Sequence, residues 1–232
     1  AEDFAMVDIL TGGRVIFGIG RGYHTREVET FGAPLLDPDA NRELFEEQFE
    51  VIMKAFNQES FSHRGKHYTL PPEVPYRGYQ LKELTLVPRP AHLPVEVWQP
   101  IVSGTPRALD FMAKHGIKGM ILGTAEEYVD RWVHQYQEAN ARHGRQLQLG
   151  ENLAMGMWAY GDDSHEKAER ALQPLFEEHV KFAAPLGMLR YTKEQMEAVG
   201  PGGVARHIAA GVDYKEVLEK RAWWAGTPEE TV

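Results

Sequence analysis

A glycine-lined loop that carries one arginine is the first stretch whose residue types suggest chemistry. Gly18, Gly20 and Gly22 alternate with other residues, which would let the backbone adopt unusual angles and let a ligand approach it closely. Arg21 stands between two of them, and its planar guanidinium is suited to binding a phosphate or a carboxylate. A tight turn after a strand, with a surface arginine, would have the same pattern. The spacing alone leaves both interpretations open.

A second loop of small residues precedes a predicted helix over residues 107–115. Ser103, Gly104 and Thr105 form this loop, with Thr105 as the expected N-cap and Pro106 in the first turn. The N-terminus of a helix offers backbone N–H groups and the positive end of the helix dipole, so it could bind an anion. A capped helix without any ligand would have the same sequence.

Other kinds of site receive less support. The chain has no cysteine, which excludes disulfides, thiolate catalysis and zinc–cysteine sites. His63 and His67 form an isolated pair without a convincing third ligand, so we predict no metal site. The glycines do not match the dinucleotide-binding pattern G-x-G-x-x-G, because Tyr23 stands where the third glycine belongs. A Walker motif is absent.

The composition narrows the class of protein. The 232 residues are 43% hydrophobic and 25% charged and carry a net charge of −9. These proportions are ordinary for a globular protein, and the acidic balance argues against a nucleic-acid partner. No apolar run is long enough to span a membrane, so we expect no membrane partner either. The lack of cysteine fits a reducing compartment, and we expect a cytoplasmic protein.

Helices and strands alternate along the chain around the two loops. Helices are predicted over residues 1–10, 40–57, 107–115, 124–143 and 163–183. Strands are predicted over residues 14–17, 95–102, 119–122 and 153–160, the first of them packed on both faces. Such alternation predicts a parallel sheet with crossover helices. Two folds remain open: a doubly wound sheet, and a (β/α)₈ barrel that is incomplete at both ends.

Several local features refine these elements. Gly12 and Gly13 should end the first helix, and Thr124 and Glu127 have the spacing of a capping box. The apolar stripe of the second helix should face the core; it comprises Phe45, Phe49, Ile52, Met53 and Phe56. Four tryptophans could wall a pocket, but we expect them to pack in the core or an interface: Trp98, Trp158, Trp223 and Trp224.

Two stretches interrupt the alternation inside what we treat as a single domain over residues 1–232. Residues 61–94 are predicted to be a proline-rich excursion that contains a hairpin turning at residues 64–66. Residues 186–225 are predicted to be a second, irregular helical insertion. Each end of the sequence has the pattern of an interrupted helix, so we expect this sequence to be an internal part of a longer protein.

An ordered set of residues supports a family resemblance. Residues 11–23, which contain the glycine-lined loop, resemble the bacterial luciferase-like, flavin-dependent monooxygenases. Later positions resemble the same family in the same order: Glu27, Phe31, Gly32, Arg42, Glu46, the Pro88-Arg89-Pro90 stretch, Ser103-Gly104-Thr105 and the helix end at residues 113–116. The similarity is clear over residues 1–122 and looser beyond them.

The resemblance implies a (β/α)₈ barrel that binds reduced FMN at the C-terminal ends of its strands. It implies that Arg21 contacts the flavin phosphate and that Ser103, Gly104 and Thr105 cradle it, with Gly20, Gly22 and Tyr23 along the flavin. The role of His24 stays open. The family's first three strands would precede this sequence and its last strand and helix would follow it. No catalytic residue can be identified from matching positions.

The resemblance also implies a function. The leading hypothesis is a monooxygenase that takes reduced FMN from a flavin reductase and uses O₂ on an organic substrate, as a homodimer. An F420-dependent oxidoreductase of the same superfamily and a non-catalytic flavin-binding or partner subunit are the alternatives. Substrate-facing groups should come from the two excursions, because loops carry specificity on barrels.

Overall fold

A computed structural model of the protein describes residues 1–22, 25–186, 188, 189, 191, 195 and 212–231. The chain forms two compact units, Ala1–Trp98 and Gln99–Val232.

The first unit opens with helices and ends in a strand. Its elements are α1 (Glu2–Thr11), β1 (Phe17–Gly18), α2 (Thr25–Val28), α3 (Pro38–Asn57), β2 (His63–Arg64), β3 (Thr69–Leu70) and the start of β4 (Val97–Ile101). Gly12 ends α1 as predicted, with a left-handed φ of 64°. The N–H of Gly13 donates to the Asp8 carbonyl at 2.9 Å, which closes the last turn.

Strand β1 is shorter and more exposed than predicted. It runs parallel to β4, with Phe17 opposite Val97. The Phe17 ring packs on one face against Phe4 of α1 and Phe56 of α3, with ring centroids 4.8 and 5.4 Å apart. Ile16, on the other face, is 58% exposed. The prediction of burial on both faces is therefore wrong, because the described helices of this unit cover only one face.

Helix α3 begins two residues before the predicted start. Asp37 is its N-cap, and the Asp37 carboxylate accepts from the N–H groups of Asp39 and Ala40 at 3.1 and 3.0 Å. Pro38 occupies the first helical position, where a missing N–H costs nothing. The predicted core stripe is confirmed at its three phenylalanines, all of which are buried: Phe45, Phe49 and Phe56.

The predicted hairpin after α3 is present, and a half-buried carboxylate holds it. Strands β2 and β3 pair antiparallel, with His63 opposite Leu70. Glu47 of α3 accepts from the backbone N–H groups of His67 and Tyr68, at 3.0 and 2.8 Å. Burial alone would raise the pKa of Glu47, but these hydrogen bonds and the contact with His63 outweigh it and lower the pKa.

His63 belongs to the same anchor. Its Nε2 lies 3.1 Å from Glu47 Oε1, and its Nδ1 lies 3.2 Å from Lys54 Nζ. Since lysine can only donate, Nδ1 accepts and Nε2 carries the proton. Among the described residues, no group of three His, Asp or Glu side chains could hold a metal ion.

A second carboxylate, which is buried, fixes the far end of the 61–94 excursion. Asp8 of α1 accepts from the N–H groups of Ala91 and His92 at 2.7 and 3.0 Å. Burial would raise the pKa of Asp8, and the hydrogen bonds from His92 and Ala91 more than reverse that effect.

The second unit alternates strands and helices. Its elements are the rest of β4, α4 (Pro106–His115), β5 (Lys118–Leu122), α5 (Glu126–Arg142), β6 (Leu153–Gly156), β7 (Trp158–Gly161), α6 (His165–Ala183), α7 (Tyr214–Glu219), β8 (Trp223–Gly226) and a 3₁₀ turn (Pro228–Thr231). Strand β5 lies between β4 and β6. Strands β5 and β6 pair in parallel, and so do β7 and β8.

Two predictions in this unit are wrong in detail. The predicted strand over residues 153–160 is divided at Met157 into β6 and β7, which belong to different sheets. Helix α5 has Ala125 at its N-cap, so Thr124 is not the N-cap residue that the predicted capping box requires. The N–H of Glu126 donates instead to the Lys220 carbonyl at 2.9 Å, a tertiary contact that replaces a local cap.

Strand β8 was not predicted. It lies largely within residues 186–225, which the sequence analysis treated as irregular, and most of the remaining residues of that range lie outside the described part. Trp223 is fully buried and packs edge-to-face on Phe176 of α6, with centroids 5.3 Å apart. The tryptophan predictions are mixed: Trp98 and Trp224 are half-buried, and Trp158 is 45% exposed.

The strand pairings match the parallel sheet predicted from the alternation. The pairs β1 with β4, β5 with β6 and β7 with β8 are all parallel, whereas β2 and β3 of the hairpin pair antiparallel. The strands within the described ranges do not close a barrel. None of the helices in these ranges is both long and apolar enough to cross a membrane.

Candidate cofactor-binding site

The glycine-lined loop leaves β1 and carries Arg21 to the first turn of α3. The N–H of Ile19 donates to the Trp98 carbonyl at 2.9 Å, which extends the pairing with β4 into the loop. Arg21 is half-buried, and its Nη1 donates to Oδ1 of Asn41 at 2.9 Å. The guanidinium is therefore held at a defined place rather than extended into solvent.

The glycines of this loop have different reasons to be glycine. Gly22 has a φ of 80°, and a Cβ there would overlap the Val28 side chain, so the fold itself requires glycine. Gly20 has no left-handed φ, and a Cβ added to it would meet no described atom within 4 Å. Packing thus does not explain Gly20, and its backbone is open to the approach of another molecule.

The other two residues of this stretch are not placed. Tyr23, a predicted cofactor contact, and His24 lie outside the described residues, so their roles remain predictions.

A small cavity separates the loop from the apolar face of α3. Its volume is about 230 Å³, and it is lined by Gly18, Ile19, Gly20, Phe45, Gln48, Phe49 and Ile52. Cavities that enclose organic ligands usually measure about 300–1,000 Å³. This space is therefore too small to hold a flavin, and the open side of Gly20 is the better candidate surface.

The second predicted loop follows β4 and leads into α4. Thr105 is the N-cap residue as predicted, with Pro106 at the first helical position, but the Thr105 side chain makes no capping hydrogen bond. Gly104 has a φ of 56°, and a Cβ there would overlap the Trp132 indole. Gly104 is thus required by the fold, while Ser103 and Thr105 are half-buried polar residues at the start of a helix.

The two loops belong to different units of the chain. Gly20, Arg21 and Gly22 lie in the first unit, and Ser103, Gly104 and Thr105 lie in the second. Their convergence on one phosphate remains a prediction from the sequence.

A larger cavity lies at the C-terminal ends of β5 and β6, inside the second unit. Its volume is about 590 Å³, and its walls include Ile121, Val129, Val133, Met155, Met157 and Trp224. Its charged residues are Glu126, Asp130, Glu230 and Arg221, so acidic side chains predominate. This lining favours an apolar molecule over a phosphate. Sequence reasoning missed the cavity because its walls come from segments about 100 residues apart.

Three hydrogen-bonded side chains in the second unit have a structural role. Trp223 Nε1 donates to the Tyr191 hydroxyl at 3.0 Å, which leaves that hydroxyl to donate to His179 Nε2, also at 3.0 Å. Burial lowers the pKa of His179 and raises that of Tyr191, so both are held neutral. These three side chains join α6 to β8.

Comparison with known proteins identifies relatives among flavin enzymes. An FMNH₂-dependent dimethylsulfone monooxygenase of Pseudomonas putida is 25% identical over 174 residues, which cover 74% of this chain and 43% of that protein. An uncharacterised protein of Sinorhizobium fredii is 31% identical over 125 residues, covering 53% of this chain and 32% of that protein. The chain thus spans less than half the length of these relatives.

Solved structures agree on the fold. The oxygenating constituent of 3,6-diketocamphane monooxygenase of Pseudomonas putida, in complex with FMN, has a TM-score of 0.68 at 16% identity, covering 97% of this chain and 61% of that chain. An F420-dependent secondary alcohol dehydrogenase has a TM-score of 0.64 at 16% identity, covering 99% of this chain and 61% of that chain.

The barrel prediction is confirmed by these comparisons. The neighbours have the luciferase-like (β/α)₈ barrel fold, which rules out the doubly wound alternative. The sequence profile described as luciferase-like monooxygenase matches residues 1–232. The chain therefore belongs to the luciferase-like monooxygenase family.

Proposed function

We propose that the protein is a flavin-dependent monooxygenase that uses reduced FMN and O₂ to oxidise an organic substrate. The family supports this proposal, and so do the FMNH₂-dependent relative and the neighbour in complex with FMN. The observation that carries it is that two features are adjacent in one loop. Arg21 is held by a hydrogen bond to Asn41, and the backbone of Gly20 beside it is open to a ligand. A flavin reductase would supply the reduced cofactor.

Each predicted site residue has a role in this proposal. Arg21 binds the phosphate of the cofactor, and the backbone at Gly20 lies against it, because no side chain there keeps a ligand away. Gly22 makes the turn that follows. Tyr23 remains proposed as a contact along the flavin. The bound flavin supplies the redox chemistry with O₂, and the protein orients the reactants and excludes water.

The second loop could bind the phosphate without a charged side chain. Ser103 and Thr105 offer hydroxyl groups, and the N-terminus of α4 offers the positive end of a helix dipole. Gly104 shapes the turn between them. We propose that these residues contact the same phosphate as Arg21.

The central experiment measures oxygen transfer. Purified protein is mixed with chemically reduced FMN, ¹⁸O-labelled O₂ and a panel of organic sulfones, ketones and alkanes. We expect one labelled oxygen atom in the product of at least one substrate, above a control without protein. Flavin binding without labelled product across the panel would support the non-catalytic subunit instead.

An F420-dependent oxidoreductase is the second candidate, since one neighbour of similar TM-score is an F420-dependent dehydrogenase. That reaction moves a hydride and needs no O₂. Anaerobic oxidation of a secondary alcohol with F420, and no activity with FMN, would favour this candidate.

The role of Arg21 can be tested separately. We expect Arg21→Ala to weaken FMN binding about tenfold or more and riboflavin binding by less than about twofold, because a hydrogen bond to a charged group contributes about 1.5–3 kcal/mol. Calorimetric titration with each ligand measures both constants. Arg26→Ala, which removes an exposed arginine of α2, is the matched control. Equal loss for both ligands would show that Arg21 does not meet the phosphate.

A further inference from the structure

The contact between Arg21 and Asn41 assigns a role to a residue that the sequence analysis did not consider. We propose that Asn41 is a positioning residue, which holds the Arg21 guanidinium in the orientation that binds the cofactor phosphate. This inference rests on the proposed function. Its direct observation is the 2.9 Å hydrogen bond from Arg21 Nη1 to Asn41 Oδ1, between residues 20 positions apart.

Asn41 is itself rigidly placed. It lies in the first turn of α3 and is 3% exposed. Its N–H donates to the Asp37 carbonyl at 2.9 Å, and the Asp37 carboxylate caps the same turn. A side chain on a capped helix start with little access to solvent has few rotamers, so it can fix its partner at small entropic cost.

The chemistry of Asn41 suits this role better than that of an acid. The guanidinium has five N–H donors in a planar fork, so the contact with Asn41 uses one donor and helps to fix the plane of the fork. An amide oxygen is a neutral acceptor and itself adds no negative charge beside Arg21. A carboxylate at the same place would form an ion pair with Arg21 and compete with a phosphate.

Two substitutions test separately the hydrogen-bond acceptor of Asn41 and the absence of charge on it. Asn41→Ala removes the acceptor, and Asn41→Asp keeps the shape of the side chain but adds the competing charge. We expect each to weaken FMN binding about tenfold and riboflavin binding by less than about twofold. The loss in Asn41→Asp should shrink with added salt, because screening weakens the new ion pair. Asn57→Asp makes the same change about 24 Å along α3 and should leave both constants unaltered.

A double substitution shows whether Asn41 acts through Arg21. With Arg21→Ala already present, we expect Asn41→Ala to cause no further loss of FMN affinity. A further loss in that background, or equal losses of FMN and riboflavin affinity in the single variants, would overturn the positioning role. Should Asn41→Ala fold poorly, Asn41→Asp with its intact shape gives the same comparison of ligands.

The outcomes also distinguish this inference from the proposed function. If Arg21→Ala discriminates FMN from riboflavin while both Asn41 variants behave like the parent protein, only the positioning role fails. If Arg21→Ala itself does not discriminate, the assignment of the phosphate site fails first.

Discussion

Gly20 and Gly104 stand in similar small-residue loops of the sequence, yet the fold requires glycine at only one of them. At Gly104 a left-handed φ of 56° and the Trp132 indole both exclude a side chain. At Gly20 neither reason applies among the described residues. The fold therefore requires Gly104, whereas Gly20 leaves space beside its backbone for another molecule.

Alanine should therefore affect ligand binding at position 20 and stability at position 104. We expect Gly20→Ala to keep the thermal midpoint of the parent protein and to weaken FMN binding, because its methyl group fills only ligand space. Gly104→Ala should lower the free energy of unfolding by about 2 kcal/mol or more, since it combines backbone strain with overlap in the core. Thermal unfolding and FMN titration of both variants check this, and a destabilised Gly20→Ala would contradict it.

Spacing in the sequence located Arg21 but could not show what holds it. Asn41 is 20 residues away and stands in a helix predicted to begin at about residue 40, where nothing in its local pattern distinguishes it. The contact exists because β1 and the first turn of α3 come together in the folded unit. The periodicity of the sequence cannot predict tertiary contacts of this kind.

A single carboxylate can fix the position of a whole secondary-structure element. Glu47 binds two successive backbone N–H groups of the β2–β3 hairpin, so one side chain of α3 sets the position of a whole element. The hairpin has only two residues in each strand and could not hold itself there.

Removal of this carboxylate should release the hairpin. We expect Glu47→Ala to lower the free energy of unfolding by about 2 kcal/mol, because the hydrogen bonds to a charged acceptor are lost. Hydrogen exchange at the His67 and Tyr68 amides should also quicken. The neighbouring exposed Glu50→Ala is the control. Unchanged exchange in Glu47→Ala would show that strand pairing alone orders the hairpin.

The start of α6 is joined to the final 3₁₀ turn by a histidine. His165 lies 3.1 Å from Glu230 and 3.1 Å from Glu169, and the hydrogen bond to Glu230 in particular raises the pKa of His165. A raised pKa means that the folded state binds the proton more tightly. The stabilisation is thus complete below about pH 6.5, the ordinary pKa of histidine, and is lost as the pH rises through the raised pKa.

This linkage predicts a pH-dependent difference between variants. We expect the parent protein to unfold at a slightly higher temperature than His165→Gln in mild acid, and we expect the difference to vanish in mild alkali. The effect should be small because these side chains are about half exposed. A thermal unfolding series over pH measures it. A difference that grows towards alkaline pH would contradict this assignment.

Local pattern predicted most helices and the hairpin, and it failed where distant segments decide the outcome. The first N–H of α5 is satisfied by the carbonyl of Lys220, so the local capping box was unnecessary. The break at Met157 follows Gly156, but a single glycine in an apolar run is only a weak signal of a break. The short apolar run at Trp223–Gly226 could have predicted β8, but one turn of helix has the same composition.

At the scale of the whole chain, the order of elements was the strongest predictor. Alternation predicted the parallel pairings, and the ordered family residues selected the barrel over the doubly wound sheet, which the solved neighbours confirm. The identity of the cofactor is not fixed at this scale, because FMN and F420 enzymes share the fold. Both cofactors carry a phosphate that Arg21 could bind.

Direct titration distinguishes the two cofactors. We expect the purified protein to bind FMN at least about tenfold more tightly than F420, a difference of about 1.4 kcal/mol. Flavin fluorescence quenching and calorimetry measure the two constants, with riboflavin as the ligand that lacks the phosphate. Tighter binding of F420 would replace the monooxygenase proposal with the hydride-transfer one.

The two carboxylates that hold the excursion also determine how freely it can change. Glu47 fixes the hairpin, Asp8 fixes Ala91 and His92, and two backbone hydrogen bonds of 2.9 Å join Leu84 to Phe61. The largely exposed residues 72–83 therefore form a loop whose ends stay in place. Doubling the length of a flexible loop with fixed ends costs only about 0.6 kcal/mol. This stretch can therefore gain, lose or exchange residues while α1 and α3 keep their packing. Because loops carry specificity on barrels, we expect changes in substrate preference to be accommodated there at low cost in stability.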